Sequence, residues 1–189
     1  GFRTAHFKPA QSVLVLGSGV AGILCIALAK SLGAGLIMAT DMSPQRLKFA
    51  QKFGAQKIFN AQDISPEKIT QINNGQRADF VIVATGAPQA FEQALICAEK
   101  GATILFFAPA QPGVTAALPI FEFWNRGLTL TSSYGAAGMD LMQSLTLIEC
   151  RRIAVKDMIT HHLKLTEAQE GFNLMAQADD SLKIILKPL

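Results

Sequence analysis

Three cysteines in 189 residues, Cys25, Cys97 and Cys150, stand far apart and without Cys-x-x-Cys spacing, which excludes a disulfide framework and a zinc knot. Each is expected to pack as a small apolar residue in a reducing compartment. Charge is also scarce. Only 16% of the residues are Asp, Glu, Lys or Arg, while 50% are hydrophobic and the mean hydropathy is +0.29. That balance is low in charge for a free-standing domain and predicts apolar surface facing a partner, the expected partner being an absent domain. No run of Lys or Arg accompanies the net charge of +3, so a nucleic-acid surface is not indicated. No apolar run reaches the ~18 residues that would span a bilayer, and no charged-then-apolar leader opens the sequence. A cytoplasmic location is the expectation. Internal repeats and low-complexity segments are missing too. The opening residues Gly1 to Pro9 read as the tail of a helix leading into a turn, the expected start of a piece cut from a longer chain.

What is present is a stretch around which the rest is arranged, Ser12-Val13-Leu14-Val15-Leu16-Gly17-Ser18-Gly19-Val20-Ala21-Gly22. It reads as a buried strand, a tight turn and the N-terminus of a helix that ends at Gly33. Gly17, Gly19 and Gly22 have G-x-G-x-x-G spacing. The first permits the turn, the second lets a pyrophosphate approach bare backbone, and the third lets helix and strand pack closely. A second strand, Leu36 to Asp41, then ends in an acid nineteen residues after Gly22, placed to accept both hydroxyls of an adenosine ribose. A carboxylate there repels a 2′-phosphate, so NAD is expected over NADP. Arg46 either lies over the adenine, flanks the ribose or is a solvated helix residue.

The remaining pattern alternates. Ser43-Pro44 opens a helix that closes at Gly54, Lys57 to Phe59 is a strand, and Ser65-Pro66 opens a helix ending near Asn74-Gly75. Strands follow at Phe80 to Ala84, Thr103 to Phe107 and Leu128 to Thr131, with a helix through Phe91, Ala94, Leu95 and Ala98 before Gly101. Gln111 to Gly127 reads as a long loop. Its aromatic part, Pro119 to Trp124, either packs on the sheet edge or forms a subunit contact. A homodimer through Leu118 to Trp124 and the sixth strand is the expectation. Leu141, Leu145 and Ile148 line a further helix. Met158 to Leu165 alternates as a strand, Thr166 with Gln169 makes a capping box for a helix with Ala168, Phe172 and Met175 on one face, and Lys183 to Leu186 is a final strand.

This order predicts an α/β Rossmann fold: a doubly wound, six-stranded parallel sheet in the order 3-2-1-4-5-6, followed by a strand-helix-strand tail. The expected division is a dinucleotide-binding domain over 1–155 and a tail segment over 156–189.

Several chemistries lack carriers. Gly17 to Gly22 is followed by Ile23-Leu24 rather than Lys-Ser or Lys-Thr, which excludes a phosphate-loop NTPase. There is no G-x-S-x-G elbow, no H-E-x-x-H pair and no clustered Cys/His/acid set. His161 and His162, adjacent on an alternating strand, point to opposite faces and cannot act as one acid–base pair, so a structural role is expected. No catalytic or metal-ligating residue is identified.

With these residues in view, the chain resembles the cofactor-binding half of a zinc-type medium-chain alcohol dehydrogenase, of the polyol- or sorbitol-dehydrogenase-like branch. The pieces are Lys8-Pro9 before Val13 to Gly22, Asp41 with Arg46 and Leu47, Ala84-Thr85-Gly86, Ile159-Thr160-His161, Glu170-Gly171-Phe172 and Leu182 to Leu186. The resemblance implies an NAD(H) site gripped by Gly17, Gly19, Val20, Gly22, Asp41, Arg46 and Thr85, with Gly86 beside it. It places the nicotinamide amide against backbone near Phe106 and from Ser132 to Tyr134, and a basic residue, Lys183, near the pyrophosphate. It also implies a parent enzyme that moves a hydride between an alcohol or polyol and NAD, with zinc polarising the oxygen. The zinc ligands and proton relay would sit in an N-terminal domain absent here, which would largely set the substrate and against which residues 156–189 would pack. Phe106-Phe107-Ala108-Pro109 departs from the small glycine-containing turn common in that family.

Two other classes share the opening features: an NAD-sensing regulatory module, such as the gates attached to potassium transporters, and a methyltransferase that binds S-adenosylmethionine. Six strands and the tail motifs favour the dehydrogenase.

Overall fold

The computed structural model describes residues 1–108, 110–177 and 181–188. Pro109, the last residue of the departure noted above, lies outside them. Six parallel strands form one sheet in the order β3-β2-β1-β4-β5-β6, with β1 at Ser12–Leu16, β2 at Leu36–Asp41, β3 at Lys57–Asn60, β4 at Ala78–Val83, β5 at Ala98–Phe106 and β6 at Thr129–Ser132. The Rossmann expectation holds, including the reversal of strand order between β1 and β4.

Sheet and helices cohere because the strands are apolar on both faces. Val13 and Val15 of β1 point into a cluster with Ile23 and Ile26 of α1 (Val20–Ser31), together with Ala50 and Phe53 of α2 (Pro44–Phe53). Leu14 and Leu16 point the other way, to Ile69 of α3 (Pro66–Ile72) and Ala94 of α4 (Pro88–Cys97). All four β1 side chains are almost fully excluded from solvent, as a parallel sheet covered on both sides requires. Phe2, Phe7 and Phe80 interlock with centroids 5.2–5.6 Å apart, which anchors the first residues onto the first cluster. At the N-terminal ends of β1 and β4, Asp79 Oδ2 accepts from both the backbone N–H and the hydroxyl of Ser12, at 2.8 and 2.7 Å. Asn73 Nδ2 donates to the same hydroxyl.

Four local expectations are corrected. The helix expected through Ala98 stops at Cys97. From there β5 starts early, at Ala98, and slips register against β4 before Thr103, with Gly101 at φ +75°. Arg126 fixes that early end from a distance, its guanidinium donating to the carbonyls of Leu95 and Ala98. The loop expected from Gln111 to Gly127 contains a six-residue helix, α5 (Ile120–Asn125). Leu118 and Phe123 pack on the core there, and Ile120, Phe121 and Trp124 are exposed. Cys25 and Cys97 are buried as expected, but Cys150 is exposed at the end of α6 (Gly138–Glu149), whose expected apolar face, Leu141, Leu145 and Ile148, is also exposed.

The tail forms its own two-stranded parallel sheet from β7 (Ile159–Lys164) and β8 (Lys183–Lys187), joined through α7 (Ala168–Gln177). Its base is not detached, since Met158 and Leu182 are buried in the cluster around α1. The capping box expected from Thr166 and Gln169 is displaced. A 3-10 turn over Leu165–Glu167 precedes α7, and the Glu167 carboxylate accepts from the Lys164 N–H at 2.7 Å. Phe172 and Met175 of α7 face outward, and buried Gly171 lies against Leu163, Ile184 and Leu186.

Candidate functional site

The turn after β1 is built by three glycines with three different constraints. Gly17 adopts φ +94°, and a Cβ there would stand 2.9 Å from Thr85 Cβ and 3.1 Å from the Ala84 carbonyl, so the turn presses directly on the chain leaving β4. At Gly22 a Cβ would strike the carbonyl of Gly17, so helix and strand approach as closely as backbone permits. Gly19 is the contrast. Its φ of −69° is open to any residue and a Cβ would meet nothing within 4 Å, yet it caps α1 without any side-chain hydrogen bond. Bare backbone at a helix N-terminus beside open space suits a phosphate. Val20 is partly buried, its side chain packed against the core cluster around α1.

At the C-terminal end of β2, beside the turn, stands Asp41. Its Oδ2 accepts from the Ser18 N–H at 2.7 Å and its Oδ1 from the Ser43 N–H at 2.9 Å, while Ser18 Oγ donates to the Thr40 carbonyl at 3.0 Å. The carboxylate is almost wholly buried, and two of its roughly four acceptor positions remain for a ligand. Ser43 also caps α2, accepting from the Arg46 N–H at 3.3 Å. Arg46 itself lines the same cleft, and its Nε is buried with no partner among the described residues.

The cleft has a volume of about 610 Å³ and runs along the C-terminal ends of the strands, bounded by Gly17, Asp41, Arg46 and Thr85. Its far side joins the segment after β3 to α4. There Ala61 donates its N–H to the Asp41 carbonyl, and its own carbonyl accepts from Gln93 Nε2 at 2.6 Å. Gln62 and Gln89 line it as well. Thr85 and Ala87 are shared with a second cleft of about 220 Å³, which Gly86, Phe91, Phe106 and Val114 to Ala116 enclose. Phe91 and Phe106 pack there with centroids 5.3 Å apart.

Gly17, Asp41, Arg46 and Thr85 line the larger cleft, and Gly86 and Phe106 the smaller one that adjoins it at Thr85, while Gly19, Val20 and Gly22 stand on the turn after β1 and line neither. Ser132, Tyr134 and Lys183 line neither cleft. The loop after β6 is nonetheless tied to the end of β5, since the Ser133 N–H donates to the Phe106 carbonyl at 3.3 Å. Tyr134 is fully exposed, and Lys183 is exposed on β8, where its carbonyl accepts from Thr160 Oγ1. His161 and His162 lie outside the crevice. His161 Nδ1 is 2.9 Å from Thr160 Oγ1 and His162 is exposed. Among the described residues no group of three or more His, Cys, Asp or Glu could hold a metal ion, and no helix is long and apolar enough to cross a membrane.

Gln93 and the Ala61 carbonyl escape the sequence reading, because they meet across 32 residues and Gln93 lies on no apolar period. The Ser18 to Asp41 bond is equally hidden, because nothing in the pattern marks Ser18 as more than the residue between two glycines of the turn.

A family profile described as zinc-binding dehydrogenase matches residues 20–150. Among curated proteins, the probable D-xylulose reductase A of Arthroderma otae is 30% identical over 180 residues, covering 90% of this chain and 49% of that protein. The D-xylulose reductase A of Aspergillus oryzae is 29% identical over 176 residues. Among solved structures, alcohol dehydrogenase TADH from Thermus sp. ATN1 superposes with a TM-score of 0.89 at 27% identity, over 100% of this chain and 55% of its own. An alcohol dehydrogenase from Thermotoga maritima gives 0.85 at 27% identity, over 96% of this chain and 51% of its own. The chain spans about half the length of the curated relatives it matches.

Proposed function

The chain belongs to the zinc-binding dehydrogenase family, and from that footing we propose that it is the NAD(H)-binding part of an oxidoreductase acting on an alcohol or polyol. The observation that carries the reading is Asp41, fixed between two backbone N–H groups with acceptor capacity left over, one of them that of Ser18, the neighbour of Gly19 with its open space. In this reading the N–H groups that follow Gly19, those of Val20 and Gly22 among them, hold the pyrophosphate at the positive end of α1. Asp41 accepts the ribose diol, and Arg46 covers the adenine or flanks the ribose. Thr85, Gly86 and Phe106 guide the cofactor into the smaller cleft, and backbone from Ser132 to Tyr134, tied to Phe106, meets the amide of its far ring. Lys183 reaches the pyrophosphate from β8.

Bound nicotinamide supplies one thing, a carbon that takes or returns a hydride. The residues of this chain orient that ring and exclude water from one of its faces. Among the described residues no group of side chains fits zinc: Cys25 and Cys97 are buried apart, Cys150 is at a helix end, and His161 and His162 lie on the tail. We assign polarisation of the substrate oxygen to a domain outside this chain, with residues 156–189 packing against it and 1–155 as the dinucleotide domain. The D-xylulose reductases among its relatives make a polyol the favoured substrate class. A homodimer through the edge strand β6, with Phe121 and Trp124 of α5 beside it, and a cytoplasmic location complete the proposal.

Calorimetric titration with NAD, NADP and S-adenosylmethionine tests it. NAD should bind tightest, because a 2′-phosphate would sit against the Asp41 carboxylate. Equal or tighter binding of NADP would remove the charge argument, and binding of S-adenosylmethionine alone would replace the dehydrogenase reading.

A further inference from the structure

Three glutamines, Gln62, Gln89 and Gln93, line the larger cleft, and they are not equivalent. Gln62 and Gln89 are exposed and free to turn. Gln93 is half-buried, and its Nε2 donates to the Ala61 carbonyl at 2.6 Å, across the gap between α4 and the segment after β3. A carbonyl can only accept, so this bond decides which end of the Gln93 amide is which. Oε1 is therefore the other end, an acceptor that makes no hydrogen bond among the described residues. Ala61 is itself held, because its N–H donates to the Asp41 carbonyl at 3.1 Å, and Gln62 and Asp63 close a turn on Asn60. The clamp thus connects, through one short chain of backbone, to Asp41, the acid proposed to hold the adenosine ribose.

Resting on that dinucleotide reading, we propose that Gln93 selects the purine: its Oε1 accepts from the exocyclic amine of adenine, and the Ala61 clamp prevents the amide from turning round to accept anything else. Adenine carries a donor at its 6-position, whereas hypoxanthine and guanine carry an oxygen there. Against Oε1 that oxygen leaves two acceptors facing each other. A free glutamine would answer by rotating its amide through half a turn, but Gln93 could do so only by breaking its bond to Ala61 and setting Oε1 against the Ala61 carbonyl. The discrimination comes from the cost of that exchange, and Gln93 pays little side-chain entropy on binding because it is already ordered.

The test compares NAD with its hypoxanthine counterpart, nicotinamide hypoxanthine dinucleotide, which differs only in that 6-position and the neighbouring ring nitrogen's proton. Calorimetry on the unaltered chain should show NAD binding about three- to tenfold tighter, the worth of one hydrogen bond. In Gln93→Leu the ratio should fall to near one while both dinucleotides still bind through the glycine turn and Asp41. Equal affinities in the unaltered chain, or a ratio that survives Gln93→Leu, would overturn the role of Gln93 and leave the dinucleotide site standing. If neither dinucleotide binds the unaltered chain, the site reading itself fails and this proposal falls with it. If Gln93→Leu does not fold, Gln93→Met, closer to glutamine in length and shape, takes its place: a ratio near one supports the role of Gln93 and a retained ratio overturns it.

Discussion

The backbone N–H of Ser18 donates to Asp41 Oδ2 at 2.7 Å, joining the middle of the glycine turn to the acid at the end of the second strand. The two halves of the dinucleotide signature are therefore one hydrogen-bonded unit. The turn orients the carboxylate, and the carboxylate holds the turn in the shape that leaves the N–H groups beyond Gly19 uncommitted.

Replacing Asp41 by alanine should accordingly act twice. The Ser18 and Ser43 N–H groups lose their shared acceptor, which should destabilise the fold by about 1–3 kcal/mol in urea titration. NAD affinity should fall by about tenfold to a hundredfold, with NADP affected far less, so that the preference between them narrows. A parallel fall for both nucleotides in calorimetry would mean that the carboxylate does not discriminate.

Valine at Gly19 and valine at Gly22 should have opposite signatures. Gly19→Val adds a side chain where there is open space and no backbone strain, so circular dichroism and melting should stay near those of the unaltered chain while dinucleotide binding disappears. Gly22→Val drives a side chain into the Gly17 carbonyl and should cost about 3 kcal/mol or more of stability. Retained NAD affinity in Gly19→Val would make the glycine turn purely structural.

Thiol chemistry should separate the three cysteines. Burial pushes the thiols of Cys25 and Cys97 up to about 12, whereas Cys150 is exposed. Ellman's reagent at pH 8 should titrate one thiol in the folded chain and three in guanidinium. In the unfolded chain those two thiols ionise near pH 8.5, while the folded chain keeps their protons to about 12. The native state therefore binds more protons above about pH 9, and stability should decline as pH rises through that window. In a Cys25→Ala/Cys97→Ala chain the decline between pH 8 and 10 should be shallower, and an identical slope would contradict the assignment.

With saturating NAD and added zinc, this chain alone should show no turnover of alcohols or polyols by NADH absorbance, and dialysis should strip the metal. No described group of side chains can hold zinc. Stoichiometric zinc after dialysis, or turnover lost on changing His161 or Cys150, would place the catalytic centre within these residues.

The sheet was legible in the sequence because its strands announce themselves locally. Runs such as Val13 to Leu16 and Phe80 to Val83 are continuous and apolar, and alternation with helices leaves few topologies. Asp41, Gly17 and Thr85 fall at strand ends, where that topology gathers ligands. The errors came where distant residues decide. Helix α4 stops at Cys97 because β5 begins pairing at Ala98, an end that Arg126 reinforces from 28 and 31 residues away. The six residues of α5 are too few to show a period, and the end of the tail's first strand depends on Glu167 reaching back to Lys164. Gln93 looked like one more polar helix residue, since what distinguishes it is a carbonyl on another element.

The fastening of Ser12 to Asp79 sits at the opposite end of β1 and β4 from the glycine turn. The side-chain bonds that lock these two central strands together therefore lie where no nucleotide reaches, and the end that meets the nucleotide is spared that duty. Exchanging Arg46 or Gln93 to suit another cofactor would leave that lock in place, whereas exchanging Asp41 would spare the lock but release the Ser18 and Ser43 N–H groups from their shared acceptor.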